Sequence, residues 1–422
     1  MNHWINWLGD GLSGFVFLYP LLMSYLWMAG ALFYYFHYER RPSSRVEDPP
    51  ARAEYPFISV IVPCFHEGDI ADETIANLMG LKYPNYDVVA VDDGSTDGTG
   101  ATLDRLSKLY PRLRVVHLAA NQGKAIALNI GAATTKAEFI VCIDGDAILD
   151  PYALDWMIMH FDSPRVGAVT GNPRVRTRST LLGRLQVGEF SSIVGLIKRA
   201  QRTYGRVFTI SGVVACFRKR AIVDVGFWST NILTEDVDMS WKLQTRHWDI
   251  RFEPRALCWT LMPETFVGLW RQRLRWATGG TQVLLKNFGK LITWRQRRMW
   301  PVYVEYFTSA IWAYSAALLI FLWFFGEVLH LPVPYHIDML IPQWHGIILG
   351  TTCLLQVGLS MILDRRYDVG MGRQFYWIIW YPLAYWLLNV ATTVVAVPRA
   401  IFRSTRERAR WTSPDRGVRE ES

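Results

Sequence analysis

Four groups of residues have the types and spacing needed for chemistry on a charged substrate. They are Asp92-Asp93-Gly94-Ser95, Asp144-Gly145-Asp146, Thr234-Glu235-Asp236 and Gln272-Arg273-Leu274-Arg275-Trp276. The first two groups offer acids of the kind that hold a nucleotide and a hard cation. The third offers a proton acceptor. The fourth sets an aromatic surface beside a fixed cation.

Asp144 and Asp146 follow the apolar run Phe139–Ile143 and are one residue apart. Alternate strand residues share a face, so both carboxylates can approach one cation, and oxygen ligands suit Mg²⁺ or Mn²⁺. Such a cation would neutralise a departing diphosphate. A calcium loop would need a further acid at the next alternate position and a Gly-then-Glu spacing, which the chain lacks; a structural turn is the plainer alternative. Glu67, in Pro63-Cys64-Phe65-His66-Glu67, and Asp93 end two other strands. Carboxylates there can accept hydrogen bonds from a base or ribose, with Gly94 allowing a sharp turn. An ordinary Asp-Gly-Ser turn would use the same residues. Lys124 opens a helix after Asn121-Gln122-Gly123, where it could meet a phosphate or simply be solvated.

Glu235 and Asp236 begin a helical pattern, a position where acids often serve as caps. Their other use is to take a proton from a hydroxyl attacking a sugar's anomeric carbon. Asp236 is assigned that role, with Glu235 as the alternative holder. One base and no covalent partner imply a single displacement with inversion. Gln272, Arg275 and Trp276 lie at i, i+3 and i+4 on one helical face. Trp276 could stack on a pyranose and Arg275 could grip a diphosphate, or the pair could anchor the chain at a membrane surface. Ser211-Gly212 would give a sugar close access to backbone, or make a plain turn.

Short apolar runs position these groups: Ile58–Val62, Val88–Val91, Val115–Leu118, Phe139–Ile143 and Val166–Thr170, separated by helical stretches. That alternation predicts an α/β domain with a parallel sheet buried on both faces and ligands at the carboxyl ends of its strands. The domain occupies residues 55–290, after a linker at 46–54. Residues 1–45 form an N-terminal membrane helix, Phe15–Phe36, with the basic flank Arg40, Arg41 and Arg45. Residues 291–397 hold interfacial helices and a C-terminal membrane region, with spans at Val302–Phe325 and His345–Leu363. Between them an outward loop carries Pro332, Pro334 and Pro342. The apolar stretch Phe375–Val397 conflicts with the seven arginines from Arg399 to Arg419, which charge bias keeps inside. It is therefore read as an interfacial or re-entrant helix pair broken near Pro382, ahead of a basic cytoplasmic tail at 398–422; a full third crossing is the alternative.

Composition agrees with a lipid-embedded chain, since 51% of its 422 residues are apolar, 14% are aromatic and 19 are Trp. The net charge of +8 lies in loops and tail where membrane topology accounts for it, so nucleic acid is set aside. The cysteines Cys64, Cys142, Cys216, Cys258 and Cys353 are isolated and imply neither disulfides nor a metal site.

With these residues in order, the chain resembles the processive family 2 glycosyltransferases, the group of cellulose, chitin and hyaluronan synthases. Within that group it is most similar to the bacterial poly-β-1,6-N-acetylglucosamine synthases. Asn121–Leu128, Val166–Pro173, Glu253–Trp259 and Arg408–Gly417 carry that likeness. The resemblance implies a GT-A fold, a UDP-GlcNAc donor, a divalent metal and a biofilm polysaccharide made and exported by one chain in the bacterial inner membrane, with its catalytic domain in the cytoplasm. It implies nucleotide contacts at Glu67, Asp93, Lys124 and Asp144 and metal binding at Asp144 and Asp146. The base falls on Asp236, and acceptor or diphosphate binding on Gln272, Arg275, Trp276, Ser211 and Gly212. A gating loop is implied near Arg410, Trp411, Asp415 and Arg416. Relatives in Gram-negative bacteria also imply a small membrane partner subunit and a response to cyclic di-GMP, whose site would be shared with that partner.

Overall fold

The computed structural model describes residues 2–40, 45–68, 70–329, 343–368, 370–378, 381–403 and 407–409. The expected loop prolines Pro332, Pro334 and Pro342 and the expected gating residues Arg410, Trp411, Asp415 and Arg416 lie outside the described residues. The chain opens with the long apolar helix α1 (Asn2–Tyr34). Strands and helices then alternate as β1 (Ile58–Cys64), α2 (Ala71–Met79), β2 (Tyr86–Asp92), α3 (Thr99–Leu109), β3 (Leu113–His117), α4 (Lys124–Thr134) and β4 (Phe139–Ile143). Next come β5 (Ile148–Leu149), α5 (Ala153–Ile158) and β6 (Val166–Val175). After β6 the chain leaves the sheet as α6 (Leu181–Glu189), a π-helical stretch at Phe190–Leu196, and α7 (Ile197–Tyr204). It returns through β7 (Val214–Arg218), α8 (Lys219–Val225), α9 (Glu235–Thr245) and β8 (Asp249–Thr260), and continues into the 26-residue α10 (Phe266–Leu291).

The eight strands are ordered β3-β2-β1-β4-β7-β6-β8-β5. β1 pairs in parallel with β2 and β4, and β2 with β3, as the alternating runs predict. The rest of the sheet is mixed, as the expected Rossmann-like parallel or mixed sheet of a GT-A domain allows: β7 is antiparallel to both β4 and β6, and β5 to β8. The excursion through α6 and α7 returns the chain to the end of the sheet at which β6 finished, so β7 runs back antiparallel to β6. β6 and β8 pair in parallel across bulges. Strand β1 is buried throughout, with Ile58, Val60 and Val62 in one core and Ile61 in the core on the opposite face. A strand covered on both faces is apolar at nearly every position, so its sequence shows no polar alternation; the one exception in β1, Ser59, is buried and hydrogen-bonded to Asp87 and Thr135.

Among the described residues four helical segments are long and apolar enough to cross a bilayer: Gly11–Glu39, Trp294–Gly326, Trp344–Asp364 and Ala384–Phe402. The middle two belong to α11 (Trp300–Leu329) and α12 (Gln343–Asp364), close to their expected bounds. The last stretch forms two helices, the one-turn α13 (Phe375–Ile378) and the longer α14 (Tyr381–Phe402), with Pro382 in the first turn of α14, where a missing amide hydrogen costs little. α14 packs chiefly against α10 and α11. Beyond it the tail touches the catalytic domain, where the Ala409 amide donates to the Thr230 carbonyl (2.9 Å) and Arg408 Nη1 to Gln122 Oε1 (2.6 Å).

A buried ion network ties the apolar helices to the sheet. Asp364, at the end of α12, accepts from Arg174 of β6 (2.9 Å) and Ser191 (2.7 Å) and forms an ion pair with Arg199 of α7 (2.9 Å). Arg199 also grips Glu39, just past α1, through Nε and Nη2 at 2.5 and 3.1 Å. Asp364 and Arg199 are both wholly buried.

Candidate active site

The carboxyl ends of β1, β2 and β4 present Glu67, Asp92-Asp93 and Asp144-Asp146 along one rim of the sheet. A cavity of about 920 Å³ opens there, lined by Glu67, Lys124, Asp144, Asp146, Ser211, Gly212, Glu235, Asp236, Gln272, Arg275 and Trp276. The structure thus gathers residues from six separate segments of chain at one place. Asp93 alone of the expected contacts in this region is not on the wall. It is fully buried, and its two oxygens accept the amides of Gln122 and Gly123 at 2.8 Å each. The Asp93 carboxylate therefore anchors the loop that starts α4 and carries Lys124, instead of facing the cavity. Burial raises its pKa, opposed by those two hydrogen bonds.

Lys124 sits inside the site and is not a solvated lysine. Its ammonium donates to Asp144, lies 3.2 Å from Glu235 Oε1, and reaches the Gly212 carbonyl at 3.2 Å. Burial works against its charge, and Asp144 and then Glu235 more than offset that effect. Gly123 holds the turn before it at φ +96°, a conformation that favours glycine. Burial alone would also raise Glu235, yet Lys124 and then Arg275 hold it below its ordinary value. Asp236 moves the other way, pushed up first by burial and then by the Glu235 charge. The adjacent acids are thereby separated in proton affinity, with Glu235 held as a paired anion and Asp236 the more easily protonated of the two.

Backbone contacts fix Asp236 in place. Its Oδ2 accepts the Gly212 amide at 3.1 Å and its Oδ1 accepts the Val237 amide at 2.8 Å. A Cβ at Gly212 would stand 2.9 Å from Asp236 Oδ2, so a side chain there would push the carboxylate from its place. Gly212→Ala should displace the carboxylate and lower kcat by about ten- to a hundredfold, with substrate KM little changed. Steady-state kinetics of the variant check this, and wild-type kcat would show that the Gly212 contact has no bearing on the base.

Trp276 is half exposed to the cavity. The guanidinium of Arg273 lies 4.2 Å over its ring and pairs with Glu189 of α6 at 2.6 Å. Glu189 and Arg273, absent from the sequence-based assignment, thus fix the ring plane that a sugar would stack on. The only sequence signal for Glu189 is an acid in an otherwise uncharged stretch between Arg184 and Lys198. Gln272 Oε1 and Thr234 Oγ1 are buried on the same wall with no hydrogen-bond partner among the described residues, so a hydroxyl-rich ligand could satisfy them.

Among the described residues no three His, Cys, Asp or Glu side chains converge as a metal cage. Asp144 and Asp146 nevertheless fit a hard divalent ion of the kind held by one or two carboxylates and completed by substrate phosphates. Deeper in, the cavity runs between the apolar helices, where Ser24, Trp27, Glu305, Gln356, Asn389 and Thr392 line it.

Residues 56–279 match the family described as Glycosyltransferase like family 2. The chain is similar to the poly-beta-1,6-N-acetyl-D-glucosamine synthase of Staphylococcus epidermidis, at 36% identity over 406 residues, covering 96% of this chain and 98% of that protein. It is likewise 36% identical over 404 residues to the synthase of the same name from Staphylococcus aureus strain MSSA476, with the same coverage of each chain. Among solved structures it is similar in fold to the mannosyltransferase PcManGT from Pyrobaculum calidifontis, described in complex with GDP-Man and Mn²⁺. That likeness has a TM-score of 0.66 at 19% identity, covers 94% of this chain and 99% of the other, and supports a GT-A fold. By family match and by near full-length identity, this chain belongs to the family 2 glycosyltransferases.

Proposed function

We propose that the protein is an inverting, processive glycosyltransferase that builds a β-1,6-linked chain of N-acetylglucosamine from UDP-N-acetylglucosamine and passes it between its own helices. One observation carries the reading: a single cavity joins the carboxylates at the sheet rim, the Trp276 platform and the space between α1, α11, α12 and α14. A single-transfer enzyme has no need for such a continuation. The names of the Staphylococcus relatives support the sugar and the linkage.

In this mechanism Glu67 and Lys124 face the nucleotide side of the site, and Arg275 meets the diphosphate with its fork of donors. Asp144 and Asp146 would hold Mg²⁺ or Mn²⁺, which when bound offsets charge on the departing diphosphate. The terminal sugar of the acceptor stacks on Trp276 and presents its hydroxyl to Asp236. That carboxylate takes the proton as the hydroxyl oxygen bonds to the anomeric carbon and the bond to the diphosphate breaks. Attack from the side opposite the leaving group inverts that carbon. The basic flanks of the apolar helices support an inner-membrane location with the catalytic domain in the cytoplasm. A small membrane partner and cyclic di-GMP enter the reading through the family resemblance alone.

The test supplies membranes containing the chain, with and without a candidate partner and cyclic di-GMP, with radiolabelled UDP-sugars and a divalent metal. Linkage-specific hydrolases then digest the product. Polymer from UDP-N-acetylglucosamine that yields to a β-1,6-specific enzyme upholds the proposal; incorporation from UDP-glucose alone overturns the donor. Proton transfer also sets a pH dependence. The Asp236 carboxyl is raised to about 6 by burial and the Glu235 charge, and it works only when deprotonated, so kcat should fall as pH drops through about 6. A profile flat down to the ordinary carboxylate range would remove Asp236 from the role.

A further inference from the structure

Lys198 of α7 is a buried cation that the mechanism above does not use. It is 5% exposed, lies on the cavity wall, and has no carboxylate within ion-pair distance among the described residues. Its ammonium group donates to the Thr170 hydroxyl at 3.2 Å. The same hydroxyl oxygen accepts the Ser211 amide at 2.9 Å, and the next amide, from Gly212, is the one that Asp236 Oδ2 accepts. A charge left in a dry interior without a paired acid is costly, so its retention calls for a compensating use.

We propose that Lys198 is a positioning residue for the transfer reaction: through Thr170 it holds the Ser211-Gly212 turn against Asp236, and its charge keeps that carboxylate available as the base. The proposal rests on the glycosyltransferase reading and adds to it a group on an element outside the sheet. Four charged groups act on Asp236: Lys124 from α4, Glu235 from α9, Arg275 from α10 and Lys198 from α7. Glu235 disfavours the Asp236 anion, while the three cations favour it. Lys124 is already engaged by Asp144 and Glu235. Lys198 has no such engagement, and its neighbour ring, Phe252 at 5.8 Å, offers little solvation. Burial pushes the Lys198 ammonium down to about 7, with Asp236 opposing that shift. It is therefore charged across the acid range in which Asp236 titrates, which gives the sign of the effect. Removing it destabilises the Asp236 anion and moves the acid limb of activity to higher pH.

The experiment compares pH profiles of kcat for wild type, Lys198→Met, Lys198→Arg and Thr170→Val, with UDP binding by each purified protein reporting an intact nucleotide site. Lys198→Met should lower kcat by about tenfold or more and shift the acid limb up by about one pH unit. Lys198→Arg should leave the limb where it is. Thr170→Val, which breaks the relay and keeps the charge, should lower kcat without moving the limb. A Lys198→Met enzyme with wild-type kcat and limb overturns the proposal. If Lys198→Met fails to bind UDP, Thr170→Val decides: unchanged kcat overturns the relay, and a fall with an unmoved limb upholds it. Wild-type protein that makes no polymer would instead overturn the glycosyltransferase reading before any variant is compared.

Discussion

Asp236→Asn should lower turnover by roughly 10²- to 10⁴-fold, the range spanned by a positioned general base, while UDP-N-acetylglucosamine binding stays close to wild type. The substitution keeps the shape of the side chain and removes its ability to accept a proton. The asymmetry between the two neighbouring acids makes the prediction specific. Glu235 is paired with Lys124 at 3.2 Å and held low, so it is a poor proton acceptor, whereas among the described residues the Asp236 carboxylate accepts from the Gly212 and Val237 amides and is held high. Radiolabel incorporation together with calorimetric UDP-sugar binding separates the two effects. Near-wild-type turnover would transfer the base role to another group, with Glu235 next in line.

Asp364→Ala should destabilise the protein by about 3–5 kcal/mol, as expected when one member of a buried ion pair is removed and its partner charge is left behind. Here two guanidinium groups lose their acid, Arg174 and Arg199, both in fully desolvated surroundings. Arg174 Nε and Nη2 have no hydrogen-bond partner among the described residues, which leaves the Tyr367 ring, 5.9 Å away, as that residue's remaining neighbour of opposite polarity. Arg199 keeps Glu39. Replacing Arg174 with Met in the Asp364→Ala background should therefore recover part of the loss. Thermal unfolding in detergent reads both changes, and an unchanged midpoint for the single variant would show that Asp364 is dispensable for anchoring α12 to the sheet.

Much of the site was legible because its residues carry their chemistry in their types. Two acids one residue apart after an apolar strand, an acid pair opening a helix, and Gln272, Arg275 and Trp276 on one helical face all reach the same cavity. Asp93 shows the limit of that reasoning. Nothing in an Asp-Gly-Ser turn reveals whether the carboxylate faces a ligand or accepts the amides of a loop about thirty residues away in the chain. Lys198, Thr170, Glu189 and Arg273 were missed for the same reason, since each matters through a partner brought near only by folding. β8 does not show as an apolar run because Asp249, Arg251, Glu253 and Arg255 interrupt it, and β7 offers only the short run Val214–Phe217 ahead of Arg218.

The order of elements, the parallel half of the sheet, the apolar helices and the candidate acids that line the cavity follow from the amino-acid sequence, because periodicity, helix length and acid placement are local properties of the chain. Tertiary structure decided the antiparallel half of the sheet, the extent of α14, the inward turn of Asp93 and the opposite pKa shifts of Glu235 and Asp236. Each of these depends on which distant groups share a desolvated space: the pKa of a carboxylate is set by burial and by charges within a few ångströms, and no spacing along a sequence encodes those distances.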